Sequence, residues 1–130
     1  MANPIQQRGA GVGCPRAAWV GMQKGRKATL YVIRCYGNGE VFYKVGISFC
    51  VASRFAAGKM PYRWRTLARY SSWDAGKVWD LEQLVHNSGL VSYAPLLPFA
   101  GKTECYGSAD AVLLLLPDST FILKSVMIDV

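Results

Sequence analysis

The stretch Leu30-Tyr31-Val32-Ile33-Arg34-Cys35-Tyr36-Gly37-Asn38-Gly39-Glu40-Val41-Phe42-Tyr43-Lys44-Val45-Gly46-Ile47-Ser48 decides the fold. Two β-rich runs flank Asn38-Gly39, and Asn-Gly accepts the positive φ angles that a two-residue hairpin turn demands. The turn sets the register: Gly37 pairs with Glu40, Ile33 with Lys44, and Tyr31 with Gly46. Side chains alternate along a strand, so Tyr31, Ile33, Phe42, Lys44 and Gly46 share one face. That face carries a phenol, an ammonium one diagonal step away, and a glycine opposite the phenol with no side chain to fill the space. The arrangement reads as a site rather than a plain core.

Working outward, Ser48 is placed to cap a short helix from Phe49 to Ala57, ended by Gly58. Trp64 to Tyr70 predicts a third strand. Ser72 or Asp74 caps a helix from about Ala75 to Asn87, with Gly89 just beyond it. Residues 88–103 form a Pro-containing loop, and Lys102 to Tyr106 a short extended piece. Ser108 caps a helix through Leu116 that stops at Pro117, and Phe121 to Ile128 forms a last strand. Residues 1–28 are Gly-rich and basic, broken by Pro4 and Pro15, and read as a mobile arm with little regular structure. Three segments follow: the arm at 1–28, a central domain at 29–116, and an extension at 117–130. No internal repeat is present.

The chain has 130 residues, enough for one domain, and is 52% apolar and 18% charged, unlike a disordered protein. Its net charge of +7 favours a polyanionic partner, with nucleic acid ahead of an acidic membrane surface. Four cysteines form no Cys-x-x-Cys pair and there is one histidine, His86, which argues against a zinc site. The cysteines are expected to be small buried apolar residues in a reducing compartment, hence the cytoplasm. The first residues lack the apolar run of a signal peptide, and Val112 to Leu116 is too short to cross a bilayer and fits a core helix.

Several side chains can do chemistry on a phosphodiester. Arg54, on the helix fed by the second strand, can hold phosphate oxygens bidentately. Val78, Glu82 and Val85 lie on one helical stripe that is otherwise apolar. A carboxylate there is at least partly buried and needs a divalent metal or a salt bridge to an arginine. Lys59, Arg63, Arg65 and Arg69 form a basic segment interleaved with Tyr62 and Trp64. It can stack on bases and contact DNA phosphates, or it can be a strand with Trp64 in the core and arginines in water.

These residues resemble the GIY-YIG nuclease superfamily. Leu30-Tyr31-Val32 stands at its first motif. Tyr43-Lys44-Val45-Gly46 stands at its second, in the form of a phage and bacterial branch that reads Tyr-Lys-x-Gly. Arg54 matches the helix arginine and Glu82 the metal-binding glutamate, and His86 sits where the branch often carries a histidine. Gly101-Lys102-Thr103-Glu104-Cys105-Tyr106 resembles a late motif, in which Glu104, like Gly46, shapes the fold. The resemblance spans about residues 29–116. It implies an α+β domain in which helices flank a central three-stranded antiparallel sheet. It also implies hydrolysis of DNA, taken as double-stranded, with one Mg2+ for which Mn2+ can substitute, in the cytoplasm of a bacterium or phage-infected host. Tyr31 would be the general base. A phenol ionises near pH 10, so that role needs a neighbouring cation, which Lys44 supplies. Arg54 would clamp the phosphate, Glu82 hold the metal, and His86 assist proton transfer. The alternatives are an inactive nucleic-acid-binding module of the same fold, or a structural subunit whose basic arm binds a partner protein.

Overall fold

The computed structural model describes residues 15–55 and 60–123, without the side chains of Ala52 and Arg54. The elements in order are α1 (Arg16–Gly21), β1 (Ala28–Gly37), β2 (Glu40–Ser48), α2 (Val51–Arg54), β3 (Arg63–Ser72) and α3 (Ala75–His86). A 3-10 turn (Lys102–Glu104), β4 (Cys105–Tyr106), α4 (Ala109–Leu113) and β5 (Phe121–Ile122) complete it. The strands make one antiparallel sheet in the order β4-β2-β1-β3-β5. The class is α+β as expected, but the sheet has five strands rather than three. The outer two, of two residues each, fall within the extended pieces read at 102–106 and 121–128, which the three-stranded core implied by the resemblance does not count; residues 102–104 form a 3-10 turn instead.

The hairpin has the register that its turn dictates, with Tyr31 opposite Gly46, Ile33 opposite Lys44 and Gly37 opposite Glu40. Asn38 and Gly39 have φ of 56° and 77°, the left-handed region a two-residue turn requires. Asp74 caps α3, its side chain accepting from the Lys77 N–H at 3.1 Å, and Ser108 caps α4 in the same way. α2 begins two residues later than expected and Ser48 does not cap it, because the Ser48 hydroxyl accepts from Cys50 N–H and closes a turn before the helix begins; Ala57 and Gly58, at its expected end, lie outside the described residues. α4 ends at Leu113, after which Leu115 and Leu116 bond three residues back. In the apolar run that follows Ser108, Val112 is buried but Leu114 is exposed. Lys59 and residues 124–128 of the expected last strand lie outside the described residues.

The sheet is covered on both faces. Leu30, Val32 and Val45 face α1, α3 and α4, packing with Trp19, Val78, Val85 and Val112. Tyr31, Ile33, Cys35 and Phe42 face the other way, under Phe55 and the segment that carries Tyr93, Leu97 and Phe99. Glu40 pins this segment. Its buried carboxylate accepts from the hydroxyls of Tyr62 and Tyr93, each at 2.6 Å, and from Leu96 N–H at 3.2 Å.

The expected unstructured arm fails over residues 16–21, which form α1. Pro15 does not break this helix, because it precedes the first helical residue and the first-turn N–H groups have no intrahelical partner to lose. Trp19 anchors it, stacking on Phe49 at 4.1 Å and donating from Nε1 to the Ala75 carbonyl at 2.8 Å. Arg16 adds a two-point ion pair to Asp80 on α3. Cys35 and Cys105 are buried thiols, as expected, but Cys50 is exposed. Among the described residues, no helix is long and apolar enough to cross a membrane.

Two outcomes follow. Trp19→Ala should cost about 3–5 kcal/mol in denaturant unfolding, the range for deleting a buried large aromatic, whereas a residue in a loose arm would cost nothing. The second concerns acid. Burial pushes Glu40 up from 4.5, but the hydrogen bonds from Tyr62, Tyr93 and Leu96 outweigh it, so its folded value is depressed. Its stabilisation is therefore present above the unfolded value and lost as pH falls through the lower folded one. Glu40→Gln should lower stability at neutral pH and flatten the stability profile at the acidic end, read by thermal melts from pH 7 to pH 2.

Candidate functional site

The hairpin places Tyr31 and Lys44 diagonally on one face, and both are fully buried. The Lys44 ammonium donates to the Tyr31 hydroxyl oxygen at 2.9 Å and to Glu104 Oε1 at 3.2 Å. Two glycines make this possible. A Cβ at Gly46 would collide with the Tyr31 hydroxyl and lie 2.6 Å from its Cζ. Gly101, at φ 85°, approaches so closely that a Cβ would lie 2.7 Å from Lys44 Cε. The 3-10 turn then lifts Glu104 toward the ammonium, and β4 follows with Cys105 opposite Lys44.

On the other side of Glu104 lies α3. Val78, Glu82 and Val85 are all buried, as the stripe requires. Glu82 Oε2 is 3.5 Å from His86 Nε2, one helical turn on. His86 Nδ1 is 2.5 Å from the Tyr106 hydroxyl on β4. Ligand atoms from Glu82, His86 and Glu104 lie within 4.8 Å of one another, and all three residues are buried. A line of buried polar groups thus runs Tyr31–Lys44–Glu104 and, across a gap of at most 4.8 Å, Glu82/His86–Tyr106. Burial pushes the Glu104 carboxyl above its usual range, Lys44 pulls it back, and Glu82 raises it further. His86 Nε2 is buried and has no hydrogen-bond partner. This set fits a divalent cation: hard carboxylate oxygens, a buried imidazole nitrogen without a hydrogen-bond partner, and more carboxylates than ammoniums. The Tyr106 ring also walls a cleft of about 510 Å³ between residues 89–93 and the start of α4.

The basic segment does not form one surface. Arg63, Arg65 and Arg69 are all odd-numbered, and strict alternation would place them on one face. A bulge in β3 intervenes, since Val32 pairs with Ala68 but Ile33 pairs with Thr66. Arg69 therefore pairs with Tyr31 on the polar face, while Arg65 and Arg63 pair with Arg34 and Tyr36 on the opposite one. Trp64 is half-buried against Phe55, at 4.9 Å between ring centroids. Arg54 lies on α2, next to Phe55, whose ring meets Tyr31 edge-on at 5.3 Å. Tyr106 and Gly101 carry no role in the sequence reading, although both flank Glu104 in the late motif and Gly101 opens it.

Comparison with protein families, with curated proteins and with solved structures finds no match to this chain.

The buried Lys44–Glu104 pair can be dissected by a double-mutant cycle. Lys44→Met leaves a buried carboxylate without its cation and should cost about 3–5 kcal/mol. Adding Glu104→Gln to Lys44→Met should recover part of that loss, giving strong coupling in chemical denaturation. Additive effects would show that the two groups do not compensate each other.

Proposed function

We propose that this protein is a divalent-metal-dependent DNA endonuclease of the GIY-YIG type. The observation that carries the reading is the convergence of side chains from β1, β2, α3 and the turn before β4 into one line of buried polar groups. Hydrolysis of a phosphodiester needs a water stripped of a proton, positive charge on the non-bridging oxygens, and help for the departing oxygen. Tyr31 would take the proton from water. Lys44 donates to the same phenol oxygen and stabilises negative charge there. Arg54 would clamp the scissile phosphate from α2, with Arg69, which shares the face of Tyr31, tracking the strand beside it. Glu82 would hold Mg2+ or Mn2+, and the bound cation would supply Lewis-acid stabilisation of the phosphorane-like charge. Double-stranded DNA is the substrate class the basic balance supports. The unpaired buried thiols of Cys35 and Cys105 support a reducing cytoplasm.

One observation favours the second reading, an inactive nucleic-acid-binding module. Tyr31 and Lys44 expose no surface, and the Phe55 ring packs against the phenol. For Tyr31 to reach water, Phe55 must move aside.

Supercoiled plasmid incubated with purified protein and Mg2+ or Mn2+ separates the two. Tyr31→Phe and Glu82→Gln should each reduce cutting about a hundredfold to a thousandfold while retention of DNA in a binding assay is unchanged. Salt-sensitive binding with no cutting by the unaltered protein in either metal supports the module instead.

A further inference from the structure

We propose that Glu82, His86 and Glu104 form a three-ligand centre that binds a divalent first-row transition ion in preference to magnesium. The ligand atoms are one carboxylate oxygen each from Glu82 and Glu104, and His86 Nε2. The proposal shares Glu82 with the nuclease reading and rests on that reading for the location of the site. The added ligands and the kind of ion come from the geometry alone.

The decisive atom is His86 Nε2. It is buried, it accepts and donates no hydrogen bond, and it faces the two carboxylates. A buried imidazole nitrogen left without a partner is costly unless something else completes it. The nearer carboxylate oxygen, Glu82 Oε2, stands 3.5 Å away and makes no hydrogen bond with it. A neutral ring that carries its proton on Nδ1 presents the Nε2 lone pair to the centre. The Tyr106 hydroxyl, at 2.5 Å from Nδ1, would accept that proton's hydrogen bond and so fix both tautomer and ring plane. Metal-bound histidines are held by their second nitrogen in this manner.

The donor set then selects the ion. Magnesium takes oxygen ligands and gives up water reluctantly, whereas imidazole suits the later first-row ions. Bonds of about 2.1 Å place ligand atoms on one ion roughly 3–3.5 Å apart, so the trio must close slightly from its present spread. Rotation of either carboxylate supplies that movement. Three protein ligands leave at least one position for water or a phosphate oxygen, the pattern of reactive rather than purely structural centres.

His86 is the chain's sole histidine, so its ring signals in nitrogen NMR of the untagged, full-length protein are unambiguous. One equivalent of Zn2+ should shift Nε2 and leave Nδ1 protonated, while a large excess of Mg2+ should leave Nε2 unmoved. Calorimetry should give Zn2+ at least tenfold tighter binding than Mg2+ at this site. Tyr106→Phe, which keeps the buried ring, should weaken Zn2+ by about 10–100-fold and leave Mg2+ unchanged. An Nε2 signal that ignores Zn2+, or equal affinity for the two ions, overturns the proposal. No DNA is present, so the two readings fail separately. A Zn2+-shifted Nε2 in a protein that cuts nothing keeps the centre and removes the nuclease. Cutting in Mg2+ with an unresponsive Nε2 does the reverse.

Discussion

A lysine ammonium with no exposed surface sits at the centre of this molecule. Such a charge survives only if its donors are satisfied and an anion is near. Lys44 meets that condition through the Tyr31 oxygen and Glu104, which come from a neighbouring strand and from a turn 60 residues away in sequence. The pairing register of the hairpin, the glycines at 46 and 101, and the turn that lifts Glu104 all serve that contact. None would be needed if position 44 were a leucine.

Glu40 and Lys44 are oppositely charged, lie four residues apart on one strand, and share a face with Phe42 between them. Both are satisfied by the same crossing segment, Glu40 through Tyr93 and Leu96 and Lys44 through Glu104. Phe42 fills the space between them, stacked on Tyr93 and Phe99. Apolar packing alone would allow that irregular segment to slide. Two buried charges at fixed positions select one placement, and that placement delivers Glu104 and Tyr106 to α3.

The parts of this arrangement that were legible in the sequence depend on local rules. Asn38-Gly39 determines the hairpin register, and strand alternation then puts Tyr31 and Lys44 together. Helical spacing buries Glu82 from its apolar neighbours. What was not legible depends on distant residues or on single irregular positions. Glu104 reads as a fold-shaping residue because the turn that aims it is three residues long. Tyr106 lies on a two-residue strand that has no periodicity. The bulge at Leu67 has no sequence mark, yet it sends Arg69 to one face and Arg65 to the other. Trp19 was the overlooked signal in the first segment: a large aromatic in a Gly-rich stretch is evidence of docking, not of looseness.

The charges around Lys44 also bear on what the site can hold. Two carboxylates, Glu82 and Glu104, face one ammonium in this centre, so their formal charge exceeds that of Lys44. Burial and the Glu82 charge both push the Glu104 carboxyl upward, as expected of carboxylates with too little compensation. His86 Nε2 faces both carboxylates and makes no hydrogen bond to either. A bound dication would reverse the sign and leave a single net positive charge. One phosphodiester carries the single negative charge that cancels it. On the proposed reading the ion and the phosphate would complete the same buried centre in turn, and the lysine at position 44 would bring the formal sum to neutral.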